Sequence, residues 1–279
     1  MLFAVFIIPW YTEIRIMKRG ITMKITALTE NTSRLGLPSE HGLSLYIETE
    51  SHRLLFDAGQ SDLFARNAAR LGIDLSLVGI AVLSHGHYDH GGGLKTFLAL
   101  NKTAPVYLSR FAFEPHLRSD GTFIGLDKTL KESERLIFCG EETKIADGLT
   151  LYAKNDAKKV ADLGSFGLNM EQDGKVLPDD FRHEHYLLIE ENGKRVLISG
   201  CSHKGILNIA EWFRPDVLVG GFHFSKLPLD ETLAGYAKQL DGCPTTYYTC
   251  HCTGTAQFEF MSKYMKRLRY ISAGDVIEI

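Results

Sequence analysis

Ser84-His85-Gly86-His87-Tyr88-Asp89-His90-Gly91-Gly92-Gly93 places three histidines and one aspartate within six positions. Neutral imidazole is the commonest side-chain metal ligand, and a nearby carboxylate suits a hard or borderline divalent ion. The run follows an apolar stretch, Val78 to Leu83, that reads as a strand, and it opens into glycines. Polar groups gathered at the mouth of a buried strand are costly unless something binds them. Gly86 permits a tight loop that carries His85 and His87 together, while Asp89 and His90 turn toward a neighbouring point. This pattern suits two adjacent ions ~3.5–4 Å apart, one at the His-x-His pair and one at the Asp-His pair.

Four ligands do not complete two sites, and three later segments repeat one design. Val196 to Ile198 runs into Ser199-Gly200-Cys201-Ser202-His203, Val217 to Val219 into Gly220-Gly221-Phe222-His223, and Tyr247 to Thr249 into Cys250-His251-Cys252-Thr253-Gly254. Each sets a histidine at a strand end, where loop side chains converge. Phe56-Asp57-Ala58-Gly59 adds an aspartate at a fourth strand end. Further strands are expected at Leu43–Thr49, Arg53–Phe56, Val106–Leu108, Leu149–Ala153, Tyr186–Glu190 and Asp275–Ile279, with a hairpin turn at Asn192-Gly193. Helices are expected from Asp62 to Leu71 and along three apolar stripes. The stripes are Ile206/Ile209/Ala210/Phe213, Leu233/Tyr236/Ala237/Leu240 and Phe258/Met261/Met265/Leu268. Hairpins mixed with helix-linked strands imply an α/β fold of two packed mixed sheets with helices outside. Residues 110–182 read as a variable insertion, either a lid or a solvated connection.

The His-x-His-x-Asp-His run with the strand-end Asp57 resembles the metallo-β-lactamase superfamily. Gly-Cys-Ser-His at 200–203, Gly-Gly-Phe-His at 220–223 and His-Cys-Thr-Gly at 251–254 are similar to its dihydropterin ribofuranosylaminobenzene phosphate synthase-like branch. The resemblance covers most of 23–279 and implies the four-layer αββα sandwich with the metal site at one edge of the sheets. By position it implies a first metal at His85, His87 and His203, and a second at Asp89, His90 and His251. Asp57 would orient the ligand loop rather than ligate, and Asp89 could also orient the nucleophile. His223 and His185 are assigned to substrate. His183 and His185 stand as alternatives to His203. In glyoxalase II-like relatives a bridging aspartate occupies the place of Cys201, which puts two-metal occupancy in question, and the thiolate is itself a good zinc ligand. Cys250 and Cys252 read as core thiols, and His41, His52 and His116 as surface histidines.

The implied function is a metal-dependent hydrolase using a metal-activated water on a phosphate ester, a pterin-related compound or another small metabolite. One or two zinc ions are expected, and iron or manganese also suits the donors. The rival readings are a mono-iron oxygenase or redox enzyme on the same fold and a ligand-binding protein with a slow metal site. A net charge of −3 over 279 residues argues against a nucleic-acid partner. No stretch reaches the roughly 20 apolar residues of a membrane span. Five cysteines, an odd number, do not form a disulfide framework, so a cytoplasmic location is expected. Residues 1–22 read as an extension before Met23, with an extra element or an export signal as the alternatives.

Overall fold

A strand that is apolar on both faces needs cover on both sides. Tyr186 to Ile189 is such a strand in the computed structural model, which describes residues 23–279. Leu187 and Ile189 enter one apolar layer, and Tyr186 and Leu188 enter another. The call on residues 1–22 lies outside the described residues.

The strands in chain order are β1 (Lys24–Thr29), β2 (Ser44–Glu48), β3 (Arg53–Phe56), β4 (Ile80–Val82), β5 (Val106–Ser109) and β6 (His116–Arg118). They continue with β7 (Leu136–Cys139), β8 (Glu142–Ala146), β9 (Leu149–Tyr152), β10 (Leu168–Gln172), β11 (Lys175–Pro178) and β12 (Tyr186–Glu191). The last are β13 (Lys194–Ile198), β14 (Val217–Gly220), β15 (Thr246–Thr249), β16 (Leu268–Tyr270) and β17 (Val276–Glu278). The helices are α1 (Leu63–Arg70), α2 (Tyr88–Gly91), α3 (Leu94–Leu100), α4 (Ile206–Phe213), α5 (Glu231–Asp241) and α6 (Thr255–Met261).

One seven-stranded sheet has the order β17-β1-β2-β3-β4-β5-β7, and the other β16-β15-β14-β13-β12-β9-β8. Ile25, Leu45, Leu54 and Phe56 of the first meet Leu187, Ile189, Val196 and Ile198 of the second in the central layer. The outer face of the first sheet packs Leu55 and Tyr46 on Phe64 of α1 and Phe97 of α3. The outer face of the second packs Tyr186, Leu188 and Leu197 on α4, α5 and α6. The expected αββα sandwich is therefore the fold.

Each sheet has a parallel half, β3-β4-β5-β7 and β13-β14-β15-β16. Helical crossovers link the parallel strands from β3 to β5 and from β13 to β16, so their C-terminal ends gather at one edge. The hairpin between β12 and β13 turns on Asn192 (φ 52°) and Gly193 (φ 76°), the left-handed pair that a two-residue turn demands. Asp230 caps α5 by accepting from the N–H groups of Thr232 and Leu233. Among the described residues no helix is long and apolar enough to cross a membrane.

Two sequence expectations are corrected. The third stripe breaks at the end of α6, and Leu268 begins β16, where pairing with Tyr247 of β15 overrides its helical spacing. Residues 110–182 are not one insertion. β7 and β8 are edge strands of the main sheets, β9 pairs between β12 and β8, and only β6, β10 and β11 form a separate three-stranded sheet. The alternation is hard to read in β7 and β8 because edge strands keep exposed polar and apolar residues side by side.

Leu187 is fully buried between the sheets and pairs with Ile198 and Leu151. Leu187→Ala should lower unfolding free energy by about 2–5 kcal/mol in urea titration. A loss under about 1 kcal/mol would contradict the inter-sheet core described here.

Candidate metal centre

The strand ends deliver the predicted residues to one place. Asp57 follows β3, the His85–His90 run follows β4, Cys201 and His203 follow β13, His223 follows β14, and His251 follows β15. His85, His87, Asp89, His90, Cys201, His203 and His251 are all buried. The two sheets touch here: a Cβ on Gly200 would stand 2.2 Å from Ser84 Oγ and 3.1 Å from His85 Nδ1. Glycine is what lets the β13 loop approach the β4 loop.

Asp57 sets the orientation of the first loop. Its Oδ1 accepts from Ser84 N–H at 2.7 Å, and its Oδ2 accepts from Ser84 Oγ at 2.7 Å and His90 Nδ1 at 2.6 Å. Because Ser84 Oγ spends its hydrogen on the carboxylate, it accepts from His85 Nδ1–H at 2.7 Å. His85 and His90 thus both carry their proton on Nδ1 and turn a bare Nε2 inward. Asn31 does the same for His251, whose Nδ1 donates to Asn31 Oδ1 at 2.8 Å. Gly42 N–H also donates to Asn31 Oδ1, which identifies that atom as the acceptor.

The inward nitrogens meet head to head. His85 Nε2 lies 3.3 Å from His203 Nε2, and His90 Nε2 lies 3.2 Å from His251 Nε2 and 3.2 Å from Cys201 Sγ. Asp89 Oδ2 stands 3.3 Å from His251 Nε2 and 3.9 Å from His90 Nε2. Two nitrogens each ~2.0–2.1 Å from a tetrahedral ion would sit about 3.3–3.4 Å apart. His90 and His251, both bare on Nε2, repel at this spacing unless a cation lies between them, and His203, whose Nδ1 has no partner to fix its tautomer, is free to turn a lone pair to the same ion as His85; the donor set fits a divalent metal. His85, His87 and His203 converge as one group, and Cys201 groups with His85 and His90.

The electrostatics of the donors divide: burial would lower His90, but Asp57 and Asp89 raise it, a shift that a bound cation would oppose. Burial, then the neighbouring imidazoles, holds His85, His87 and His203 well below the usual histidine range, in the neutral form that metals need. Burial would raise the Asp89 carboxyl, but His90 and the adjoining His251 and His41 rings hold it well below the carboxylate range. Burial also pushes the Cys201 thiol up, a shift that a bound cation would reverse.

Two buried carboxylates pin the other loops. Glu184 accepts from the N–H groups of His203 (2.7 Å) and Lys204 (3.0 Å) and from Tyr186 Oη (2.5 Å). Glu30 accepts from His251 N–H (2.6 Å), Tyr270 Oη (2.7 Å) and Thr32. Neither stands out in the sequence, because most of these partners are distant in the chain. The only local hint is that each follows or precedes a strand end. Asp57, Ser202, His223 and His251 all have left-handed backbone, with φ between 49° and 60°. Such geometry costs about 1–2 kcal/mol per residue and is held here by these buried bonds.

A cavity of about 410 Å³ opens over the donors, lined by His87, Asp89, Cys201, His203 and His251 and walled by His223, Tyr88 and Ile124. Arg118, Lys226 and His41 bring positive or protonatable groups to the same wall. His41, read as a surface histidine, is exposed yet places Nε2 3.1 Å from Asp89 Oδ2. His223, assigned to substrate from the sequence, lines the cavity. His185 does not: its buried Nε2 donates to Gly140 O at 3.1 Å, and burial and Lys204 push it down to about 3. Lys204 is buried as well, donating to the carbonyls of Ala153 and Glu184, and burial pulls it down to about 8. His183 is buried, with Nδ1 accepting from Gly86 N–H at 2.9 Å, so His203 rather than His183 or His185 meets His85. His116 is fully buried, against the surface reading.

The comparisons agree with this architecture. The chain is 30% identical to a 7,8-dihydropterin-6-methyl-4-(beta-D-ribofuranosyl)-aminobenzene-5'-phosphate synthase of Methanocaldococcus jannaschii, over 92% of this chain and 96% of that protein. A hydroxyacylglutathione hydrolase of Francisella tularensis subsp. novicida is 31% identical over a shorter part, 33% of this chain and 43% of that protein. The crystal structure of Tm1679, a metal-dependent hydrolase of the beta-lactamase superfamily, superposes with a TM-score of 0.77 at 31% identity, covering 92% of this chain and 99% of that one. Residues 38–238 match the family model of the same superfamily, and the chain belongs to the metallo-beta-lactamase superfamily.

Proposed function

We propose that this protein is a metal-dependent hydrolase with a dinuclear centre. His85, His87 and His203 would hold one ion, Asp89, His90 and His251 the other, and Cys201 would stand between them. The head-to-head pairing of His85 with His203 and of His90 with His251 carries this reading. When bound, such ions supply Lewis acidity and a water whose pKa falls to about 7.

The chain's own residues do the rest. Asp57 and Ser84 fix the tautomers of His85 and His90, and Asn31 fixes that of His251. Asp89, held ionised, faces the cavity where it can orient the attacking water. Sulfur at Cys201, where a carboxylate is expected from glyoxalase II-like relatives, favours zinc or iron over manganese or magnesium. The five free cysteines suit a reducing cytoplasm, where we place the protein.

The cavity is within the ~300–1,000 Å³ range of small-molecule sites. Arg118 and Lys226 give its wall a cationic side, and Tyr88, Ile124 and Leu168 give it an apolar one. That combination suits a small anionic substrate with a flat or apolar body. A phosphate ester, pterin-related or otherwise, has both features, and the methanogen relative's name contains both a dihydropterin and a phosphate.

His87→Ala should lose most bound zinc and all metal-dependent turnover of phosphate, thioester and carboxylic ester panels while keeping its circular dichroism. Wild-type metal content and activity in that variant would sink the assignment. Cobalt-loaded protein should show a sulfur-to-metal charge-transfer band that vanishes in Cys201→Ser. An unchanged spectrum removes Cys201 from the centre. Lys226→Ala should raise KM for phosphorylated substrates about tenfold, as expected for losing about 1.4 kcal/mol of charged hydrogen bonding, and leave neutral esters unaffected. Equal effects on both classes would count against an anionic substrate.

A further inference from the structure

We propose that His116, Asp179 and His183 form a buried arch that positions the His85–Gly86–His87 loop, with His116 setting the tautomer of His87 and His183 holding Gly86. The inference rests on the metal reading only for what the loop binds.

All three residues are buried, and their side chains have no exposed surface. Asp179 Oδ1 accepts from Phe181 N–H at 2.7 Å. Its Oδ2 lies 2.9 Å from His116 Nδ1 and 3.4 Å from His183 Nε2. The two imidazoles face each other with ring centroids 3.8 Å apart. Burial would raise the Asp179 carboxyl, but the two histidines hold it far below the usual range, so it acts as an acceptor only.

Proton counting then assigns each ring. His183 Nδ1 accepts from Gly86 N–H at 2.9 Å, so its single proton sits on Nε2, toward Asp179. Burial and His116 push His183 down to about 4, which keeps the ring neutral near pH 7. His116 donates Nδ1–H to Asp179, which leaves a lone pair on Nε2. That atom is buried without a hydrogen-bond partner, and so are His87 Nε2 and His183 Nε2, so no hydrogen bond joins His87 to His116 in this structure. The donor atoms of His87, His116, Asp179 and His183 lie within 4.8 Å of one another. His116 Nε2 packs on the loop itself, 2.9 Å from where a Cβ on Gly86 would stand, and the carbonyl of Ala112 would be 2.2 Å from it.

Four such donors could suggest a further metal site, but the tautomers exclude it. With Nδ1 engaged by Gly86, His183 Nε2 keeps its hydrogen and offers no lone pair to an ion. With His183 Nε2–H directed at Asp179 as a long ionic contact, the arch leaves one unused acceptor, His116 Nε2, near one unused nitrogen of His87. A proton on His87 Nε2 would face that acceptor across less than 4.8 Å, a small closing of the gap would make the bond, and Nδ1 would be left as the lone pair of a ring that also lines the cavity. Asp179 thus acts on both sides of Gly86, through His116 on His87 and through His183 on the backbone. His116 and His183 are positioning residues, since neither lines the cavity.

The test reads tautomers and metal affinity rather than activity. In wild-type protein with 15N-labelled histidine, two-bond 15N–1H correlations should show His183 as the Nε2–H form and His116 as the Nδ1–H form. His183 in the Nδ1–H form overturns the arch. In chelator competition with zinc, His116→Phe, which removes the acceptor, should weaken binding about 10–100-fold. His116→Gln, which returns a carbonyl acceptor, should stay within roughly threefold of wild type. Equal losses in the two variants, or wild-type affinity in His116→Phe, would overturn the proposal. Wild-type protein that binds no zinc would sink the hydrolase reading instead, and the tautomers would still decide the arch. They also decide it if His116→Phe fails to fold.

Discussion

The hydrogen bonds from His90 and Ser84 to Asp57 are the constraint on which the centre depends. A buried carboxylate can only accept, so every group that faces it must turn a hydrogen toward it. His90 spends its Nδ1–H there, and Ser84 spends its hydroxyl, which forces His85 to donate to Ser84. Two rings therefore present lone pairs inward, where they meet the rings of His203 and His251. Between His90 and His251, both bare on Nε2, the repulsion created in this way is relieved by a positive charge. One aspartate at the end of β3, in a left-handed conformation, converts a cluster of polar residues into a cation site.

The same device recurs on each loop of the edge. Glu184 gathers the N–H groups of His203 and Lys204, Glu30 those of His251 and Thr32, and Asp179 the rings of His116 and His183. Burying a carboxylate is unfavourable unless its oxygens are fully engaged. Each here accepts three or more bonds or close ionic contacts. The outcome is a set of loops held rigidly enough to keep left-handed residues such as Ser202, His223 and His251 in place. Preorganisation of this sort keeps the donors at ligand spacing without the ions having to assemble them.

The sandwich explains why these loops meet. The parallel strands of both sheets end at one edge, and Gly200 lets the β13 loop approach Ser84 at the seam. Arg118 reaches the cavity from β6, in the small separate sheet, and Lys226 from beyond β14. The chemistry-bearing floor thus belongs to the two main sheets, while part of the cationic wall comes from the least regular stretch of the chain.

The sequence by itself determined the fold class, the strand-end placement of the donors and the ligand candidates His85, His87, Asp89, His90, His203 and His251. These are local facts: alternation, apolar stripes and spacing are written within a dozen residues, and Asp57 is legible because it ends a strand. Only the tertiary structure decided that His203 and not His183 meets His85, that His185 is turned away toward Gly140, and that His116 is buried. It also revealed Glu30, Glu184 and Asp179, and it moved β7, β8 and β9 into the main sheets. The reason is physical. Which nitrogen of a histidine carries its proton, and which carboxylate holds a loop, depend on partners that lie as far as 240 positions away, as Tyr270 does from Glu30. No local pattern records a bond of that span.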